Sequence, residues 1–328
     1  MGRWYRFAPL GIVAGLLGIL AFMAPGGQEL EEKFGLHWLF HLRGTVKPPD
    51  DVIIIAIDHP SATQFGLPLL PRLWPRDMHA RLIERLTAAG VQNVVFDLIF
   101  DAPSQVPEYD EELSRAMAAS NNTILIERLT YQALNVQNES VYADIRYEGV
   151  TELLPVIADA ARARAPFPLP KAERVNTYWT FKESAGDFPT APVVVLQLFT
   201  LPLYDEFIRL LTTVDSALVA QLPANAASVV DIEDLVFAMR QLLTNHPNAA
   251  ARIQAELYRT DWLDAVQKQH IAALLIAYSS DEKHYLNFYG PPRTVKTIPY
   301  HQALQSLTSG DQHRLLEYDT SGLVMITQ

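Results

Sequence analysis

The chain has 328 residues, of which 49% are apolar, enough for one large domain or two small ones. Its net charge of −11 at pH 7 argues against nucleic acid as a partner, because phosphate backbones bind basic surfaces. The absence of cysteine excludes disulfides, thiolate metal sites and a cysteine nucleophile. The fold must therefore be held together by its apolar core, which favours a layered α/β or helical architecture.

The N-terminal segment has the pattern of a membrane anchor. Residues 7–24 carry no charge, Arg3 and Arg6 precede them, and three glutamates follow between residues 29 and 32. A helix over these 18 residues rises about 27 Å, enough to cross the hydrocarbon core of a bilayer. By the positive-inside rule, we expect a bacterial inner-membrane protein with a cytoplasmic N-terminus and the bulk of the chain periplasmic or extracellular.

A cleaved secretory signal is the alternative for this segment. Such a signal has an apolar stretch of ~7–15 residues that ends in a small-x-small cleavage site. The run here is longer, and a cut after Ala24 places Phe22 at the −3 position and Pro25 just beyond. Both residues disfavour cleavage, so a retained anchor is the preferred interpretation, and the remaining chain is exported in either case.

A juxtamembrane helix is predicted within residues 28–45. Its apolar residues share much of one helical face: Leu30, Phe34, Leu36, Leu39 and Phe40. The amphipathic pattern over 28–42 also makes this segment the expected route of homodimer formation and signal transmission.

The next part of the chain alternates strands with helices. Continuous apolar runs predict buried strands over 52–57, 91–96 and 123–126, and helical spacing predicts helices over 78–89 and 108–119. This βαβαβ order predicts parallel strands with right-handed crossovers. We therefore expect an α/β fold in which flanking helices cover a parallel or mixed sheet.

The patterns become weaker after residue 126. Residues 203–278 read as a mainly helical insertion, with helices over 206–221, 231–245, 249–258 and 263–278. A further helix is predicted over 153–165, and strands are predicted over 175–181, 193–198, 285–289 and 322–327.

Three aspartates are candidate site residues. Asp58, Asp97 and Asp101 follow two of the predicted parallel strands, and ligands bind at the carboxyl edge of such sheets. Carboxylates there can hold Mg²⁺ or Ca²⁺, or act in acid–base chemistry. The alternative is that they cap loops or accept backbone hydrogen bonds at the strand ends.

Trp74 and Arg76 form a second candidate, because Pro75 places them at the start of the first crossover helix. A tryptophan and an arginine at a helix N-terminus can line a pocket for an anionic or planar ligand. Alternatively, Trp74 covers the sheet edge and Arg76 pairs with Asp58 or Asp97.

No enzyme motif accompanies these residues. Residues 94–98 resemble a haloacid-dehalogenase strand, but the required general acid two residues after Asp97 is replaced by Ile99, which cannot transfer a proton. The phosphate-binding glycine loops, the His-Glu-x-x-His zinc motif and the Gly-x-Ser-x-Gly nucleophile motif are also missing. We therefore expect no catalytic residue, no bound metal and no cofactor.

Short strings in a fixed order carry a family resemblance. They are Leu42-Arg43-Gly44, Pro48-Pro49-Asp50, Ile57-Asp58, Trp74-Pro75-Arg76, Ala89-Gly90-Val91, Phe96-Asp97-Leu98-Ile99-Phe100, Asp110, Leu113-Ser114-Arg115-Ala116, Leu286-Asn287-Phe288-Tyr289-Gly290-Pro291-Pro292 and the segment 298–304. In this order they resemble the second type of CHASE domain (cyclases/histidine kinases associated sensory extracellular), over residues 28–328.

The resemblance implies an extracytoplasmic sensor domain over 50–328, carried by a bacterial receptor whose cytoplasmic part is a cyclase or a kinase. It brings no catalytic residues, and the ligands of the family are largely undefined. Members usually continue into several membrane helices and an effector, which this sequence does not contain, so no effector activity is assigned to this chain. An unknown small molecule or protein is the expected signal.

Two other functions stay open beside signal reception. One is a membrane-anchored periplasmic metal-dependent hydrolase that uses Asp58 and Asp97. The other is a scaffold that holds a partner protein on an acidic face.

Overall fold

The computed structural model describes residues 35–138, 141–171, 175–279, 283–306 and 323–327, and the isolated positions 13, 15 and 18. Within these ranges, residue 37 and residues 132–138 and 141–147 are described by their backbone alone. The expected anchor over 7–24 therefore lies outside the described residues except at those three positions. The first part of the expected juxtamembrane helix also lies outside them.

The strands of the described residues form one main sheet and two small ribbons. They are β1 Val52–Ala56, β2 Asn93–Phe96, β3 Thr123–Asn138, β4 Val141–Thr151, β5 Ala163–Pro166, β6 Thr177–Trp179, β7 Phe181–Lys182, β8 Phe188–Pro189, β9 Lys283–Tyr285, β10 Thr297–Pro299 and β11 Leu323–Thr327. The main sheet has the order β10-β1-β11-β2-β3, and both β4 and β5 pair with β3. Only the pairing of β3 with β4 is antiparallel in this sheet, so the expected mixed sheet is confirmed.

The helices follow the strands in chain order. They are α1 Leu36–Arg43, α2 His59–Phe65, α3 Arg76–Ala88, α4 Pro107–Ser120, α5 Pro155–Ala158, α6 Ala191–Thr200, α7 Tyr204–Val214, α8 Ser216–Val219, α9 Ile232–Asn245, α10 Ala249–Arg259, α11 Ala265–Ser279 and α12 Tyr300–Ser306. Asn121, with φ of 50°, ends α4 in the left-handed conformation, and the predicted helices over 231–245 and 249–258 are confirmed as α9 and α10.

Alternating side chains of the main sheet enter two apolar layers. Val94 and Phe96 pack with buried residues of α2 to α5 and α12 on one face. Val95 lies between them in sequence and packs with residues of α6, α7 and α9 to α11 on the other face. A strand buried on both faces needs a continuous apolar run, which is why β2 was recognisable in the sequence.

The predicted βαβαβ order is confirmed, but β1 and β2 are not neighbours in the sheet. Strand β11 lies between them, with Met325 paired to Ile54 on one side and to Val95 on the other. The strand predicted over 322–327 is therefore central to the sheet.

Several predicted elements were wrong or shifted. Residues 193–198 belong to helix α6 and not to a strand, because a short apolar run buried on most sides suits either structure. The helix predicted over 153–165 is limited to α5, and residues 163–166 form strand β5. The strand predicted over 175–181 is divided between β6 and β7, which pair in different sheets.

One helical stretch among the described residues, Ala191–Val214, is long and apolar enough to span a membrane by length and composition. It comprises α6 and α7, and its Val193, Val194, Leu210 and Leu211 are fully buried in the apolar cluster beneath the sheet. This is the packing of a core helix in a globular domain.

Candidate ligand-binding site

A cleft of about 740 Å³ opens beyond the carboxyl ends of parallel strands β2 and β5, along the stretch of β3 where its pairing changes from parallel to antiparallel. We call it the carboxyl-edge cleft. Its polar and aromatic lining comprises Asp97, Glu127, Arg128, Thr130, Tyr131, Glu148, Phe167, Lys171, Trp179 and Lys182. Ligands of open α/β sheets bind at this edge, and the volume suits a small molecule or a short peptide.

Asp97 lies at the cleft because it directly follows β2. Its backbone N–H donates to the carbonyl of Ile326 at 2.9 Å, and its Oδ2 accepts a hydrogen bond from the Thr327 hydroxyl at 2.8 Å. One carboxylate oxygen is therefore committed to joining β2 to β11.

Glu127 lies in β3 and is only 8% exposed. Burial raises its pKa to about 7, and the nearby charges act in opposite directions: Arg164 lowers the pKa and Glu233 raises it. The Glu127 carboxyl makes no hydrogen bond to another described residue. It is thus a buried acid that changes its charge near neutral pH and faces a cleft.

The other wall of the cleft carries a cation held on an aromatic ring. The Lys182 ammonium lies 4.2 Å from the centroid of the Trp179 ring and 4.0 Å from Oε2 of Glu148. The Ser184 hydroxyl donates to Glu148 and lowers the pKa of that carboxyl, and Tyr131 hydrogen-bonds to it as well. The Glu148 carboxylate is thus already satisfied by hydroxyl donors.

Trp74 and Arg76 are placed in the core and not in the carboxyl-edge cleft. Trp74 is 2% exposed, and its indole N–H donates to the Pro68 carbonyl at 2.8 Å. Arg76 pairs with Asp110 at 2.7 Å and donates to the Ala102 carbonyl at 2.6 Å. Both side chains line a separate cavity of about 40 Å³, which has room for only a few waters.

The two remaining candidate aspartates are also outside the cleft. Asp58 caps α2, where its Oδ1 accepts from the Ser61 backbone N–H at 3.0 Å and from the Ser61 hydroxyl at 2.6 Å. Asp101 is exposed in the loop after β2. In the part of the chain that the structure describes, no group of three or more His, Asp or Glu side chains is placed to hold a metal ion. The hydrolase alternative based on Asp58 and Asp97 therefore gains no support from this geometry.

The sequence interpretation missed Glu127, Trp179 and Lys182. Glu127 directly follows the predicted strand over 123–126, so the rule that selected Asp97 would have selected it too. Trp179 and Lys182 lie in strands of three and two residues, which are too short to show a period.

Helix α1 is tied to the segment that follows β9. Arg43 donates to Oδ1 of Asn287 at 2.6 Å and also to the Phe288 carbonyl. The rings of Phe40 and Phe288 meet edge-to-face with centroids 5.4 Å apart. Strand β9 pairs with β6, which contains the cleft residue Trp179. The β6–β9 ribbon therefore connects this attachment to the cleft.

Comparison with known proteins gives one match. The family model of the CHASE2 domain matches residues 13–324, which is nearly the whole chain. No curated protein and no solved structure matches. The resemblance inferred from the ordered strings is therefore confirmed.

Proposed function

Because the chain belongs to the CHASE2 family of extracytoplasmic sensory domains, we propose that it is the ligand-binding input domain of a bacterial membrane receptor. The observation that carries this proposal is the carboxyl-edge cleft, which combines a buried carboxyl without a hydrogen-bond partner among the described residues with a desolvated lysine. Groups of this kind are costly for a fold and are typical of binding sites.

In this proposal, residues 7–24 anchor the chain in the inner membrane and the domain over 50–328 lies outside the cytoplasm. The effector is a cyclase or kinase in the same receptor, and the chain itself performs no catalysis. The charge distribution around residues 7–24 supports this orientation.

A contiguous path of contacts from the cleft to α1 supports transmission of a signal. Trp179 of β6 lines the cleft and pairs with Lys283 of β9. The chain continues from β9 into Phe288, which packs on Phe40 of α1. A ligand that binds more tightly to one position of β6 than to another would shift the equilibrium between two positions of α1. The free energy of this shift cannot exceed the difference between the ligand's binding free energies for the two states.

The exposed face of α1 supports dimer formation as the output. Trp38, Leu39 and Leu42 are 60%, 61% and 77% exposed, although all three are large apolar side chains. A helix that buries these residues against a second copy would change its packing when the β6–β9 ribbon moves.

Reporter fusions test the location of the domain. We expect alkaline phosphatase fused after Gln328 to be active in intact cells and green fluorescent protein fused there to be dark, because the junction lies outside the cytoplasm. The same reporters fused after Met1 should behave in the opposite way. A fluorescent C-terminal fusion with inactive phosphatase would refute the extracytoplasmic sensor.

A further inference from the structure

We propose that the carboxyl-edge cleft binds an extended zwitterion, namely a short peptide with free termini, whose ammonium group pairs with Glu127 and whose carboxylate pairs with Lys182. This inference rests on the proposed function and assigns its ligand class. Two groups of opposite charge in one cleft support it, the buried Glu127 and the partly buried Lys182, together with the distance between them.

Glu127 provides the site for the ammonium group. The residue is 8% exposed, lines the cleft and makes no hydrogen bond to another described residue. Its carboxyl oxygens are not among the buried polar atoms that lack a partner, so they are accessible from the cleft, where a cationic donor can pair with them. Asp97 lies at the same end of the cleft and keeps one oxygen that Thr327 does not use.

Lys182 provides the site for the carboxylate. Its side chain is 15% exposed, and its ion pair with Glu148 is long, at 4.0 Å, so its ammonium makes no hydrogen bond to a described residue. Lys171 also faces Glu148, and the two lysines leave this end of the cleft with one positive charge in excess. An anionic group of a ligand would supply the acceptor that the Lys182 ammonium lacks.

The register of β3 gives the spacing of the two charges. Tyr131, which hydrogen-bonds to Glu148 near Lys182, lies four residues along the strand from Glu127. Four residues of strand rise about 13 Å, so the two sites lie on the order of 10 Å apart. An α-amino acid is too short for this span, whereas an extended tripeptide covers about 10 Å.

The walls between the two charges suit the body of a peptide. Phe167, Leu129 and Leu169 offer apolar surface to the side chains of a peptide. The cleft volume of about 740 Å³ lies in the usual range for bound ligands of this size.

Three matched tripeptides test the inference by isothermal titration on the full chain in detergent micelles. The probes are alanyl-phenylalanyl-alanine with free termini, its N-acetyl form and its C-amide form. We expect the free peptide to bind, and each blocked form to bind at least tenfold more weakly because one charge pair is lost. Glu127→Gln should abolish the difference between the free and the acetylated peptide, and Lys182→Met should abolish the difference between the free and the amidated peptide.

Two variants outside the cleft serve as controls for charge and for aromatic contact. Glu112→Gln neutralises an exposed acid of α4, and Arg209→Met removes a guanidinium that lies 4.3 Å above the Trp262 ring. Both should bind the three peptides as the unchanged chain does. Failure of all three peptides to bind, or equal binding of all three, would overturn the inference. The reporter fusions would still report on the extracytoplasmic sensor, so the two failures are distinguishable.

Discussion

Arg76 and Asp110 form an ion pair that is almost fully removed from water, with side chains 8% and 6% exposed. Arg76 also lies over the Phe100 ring, and Asp110 accepts a hydrogen bond from the backbone N–H of Ser104. The pair therefore fixes the loop between β2 and α4 onto the start of α3. Arg76, Phe100 and Asp110 belong to the short strings that carry the family resemblance, and in the fold they make structural contacts with one another.

Replacing one member of this pair should be strongly destabilising. We expect Arg76→Met to lower the free energy of unfolding by about 3–5 kcal/mol, because Asp110 would remain buried without its counter-ion. The double variant with Asp110→Leu should lose less than the sum of the two single variants. Urea unfolding measures these differences.

The pair of Lys47 and Asp50 gives a matched control, since its side chains are 77% and 73% exposed. Lys47→Met should change the stability by less than about 1 kcal/mol. Similar losses for Lys47→Met and Arg76→Met would contradict the structural role assigned to the buried pair.

Glu127 makes the stability of the domain depend on pH. Its pKa is about 7 in the fold and 4.5 as a model value, so unfolding between these pH values releases a proton. Stability contributed by this residue is therefore present at low pH and is lost as the pH rises from about 4.5 to about 7. The charged groups that face it are Arg164 of β5 and Glu233 of α9.

Glu127→Gln should remove this dependence. We expect the variant to gain stability relative to the unchanged chain between pH 5 and pH 8, by up to about 3 kcal/mol, because the amide stays neutral. Thermal unfolding at both pH values measures the gain, and Glu112→Gln is the control that should show none. A constant difference between Glu127→Gln and the unchanged chain across this range would contradict the raised pKa.

At the scale of elements, α1 is the first helix that the structure describes, and its contacts attach it to the segment that follows β9. The cysteine-free sequence allows a direct test of its proposed dimer. We expect Leu39→Cys to form disulfide-linked dimers in membranes, because this side chain is 61% exposed on the apolar face of α1. Electrophoresis without reducing agent measures the linked fraction.

Val230 provides the matched control, since it is an apolar residue that is 89% exposed and lies far along the chain, before α9. Val230→Cys should stay monomeric under the same oxidation. Adding Phe288→Ala to Leu39→Cys should change the linked fraction, because the ring that holds Phe40 is removed. Equal cross-linking of Leu39→Cys and Val230→Cys would contradict a dimer through α1.

The predictable elements were those whose burial produces a recognisable run or period of apolar residues in the sequence. Strands β1, β2 and β11 are short β-branched or apolar runs bounded by turns, and α4 starts with acids and ends at Asn121. Helix α6 was misassigned because its apolar residues contact neighbours on most sides, which removes the amphipathic signal. The short strands β6 to β9 are defined by their partners, which a linear pattern does not specify.

The same distinction explains how much of the site was predictable. Asp97 was found because it directly follows a strand that the sequence reveals. Lys182 depends on the packing of a two-residue strand over β3, which arises only in the folded chain. Trp74 and Arg76 were selected because a tryptophan and an arginine flank a proline at the start of a helix. Both side chains are buried, so this combination of residues stabilises the core and does not line the cleft.

At the scale of the whole molecule, the position of β11 determines when the main sheet can assemble. Strands β10 and β1 pair with each other, and β2, β3 and β5 form a second group, but β11 pairs with members of both groups. Strands β1 and β2, within residues 52–96, are therefore joined in one sheet only after residues 323–327 have paired with both. Such distant pairing in sequence slows folding, because a long loop must close before its contacts stabilise the product. Until β11 inserts, β1 and β2 present unpaired edges, and unpaired strand edges expose a folding chain to aggregation and proteolysis.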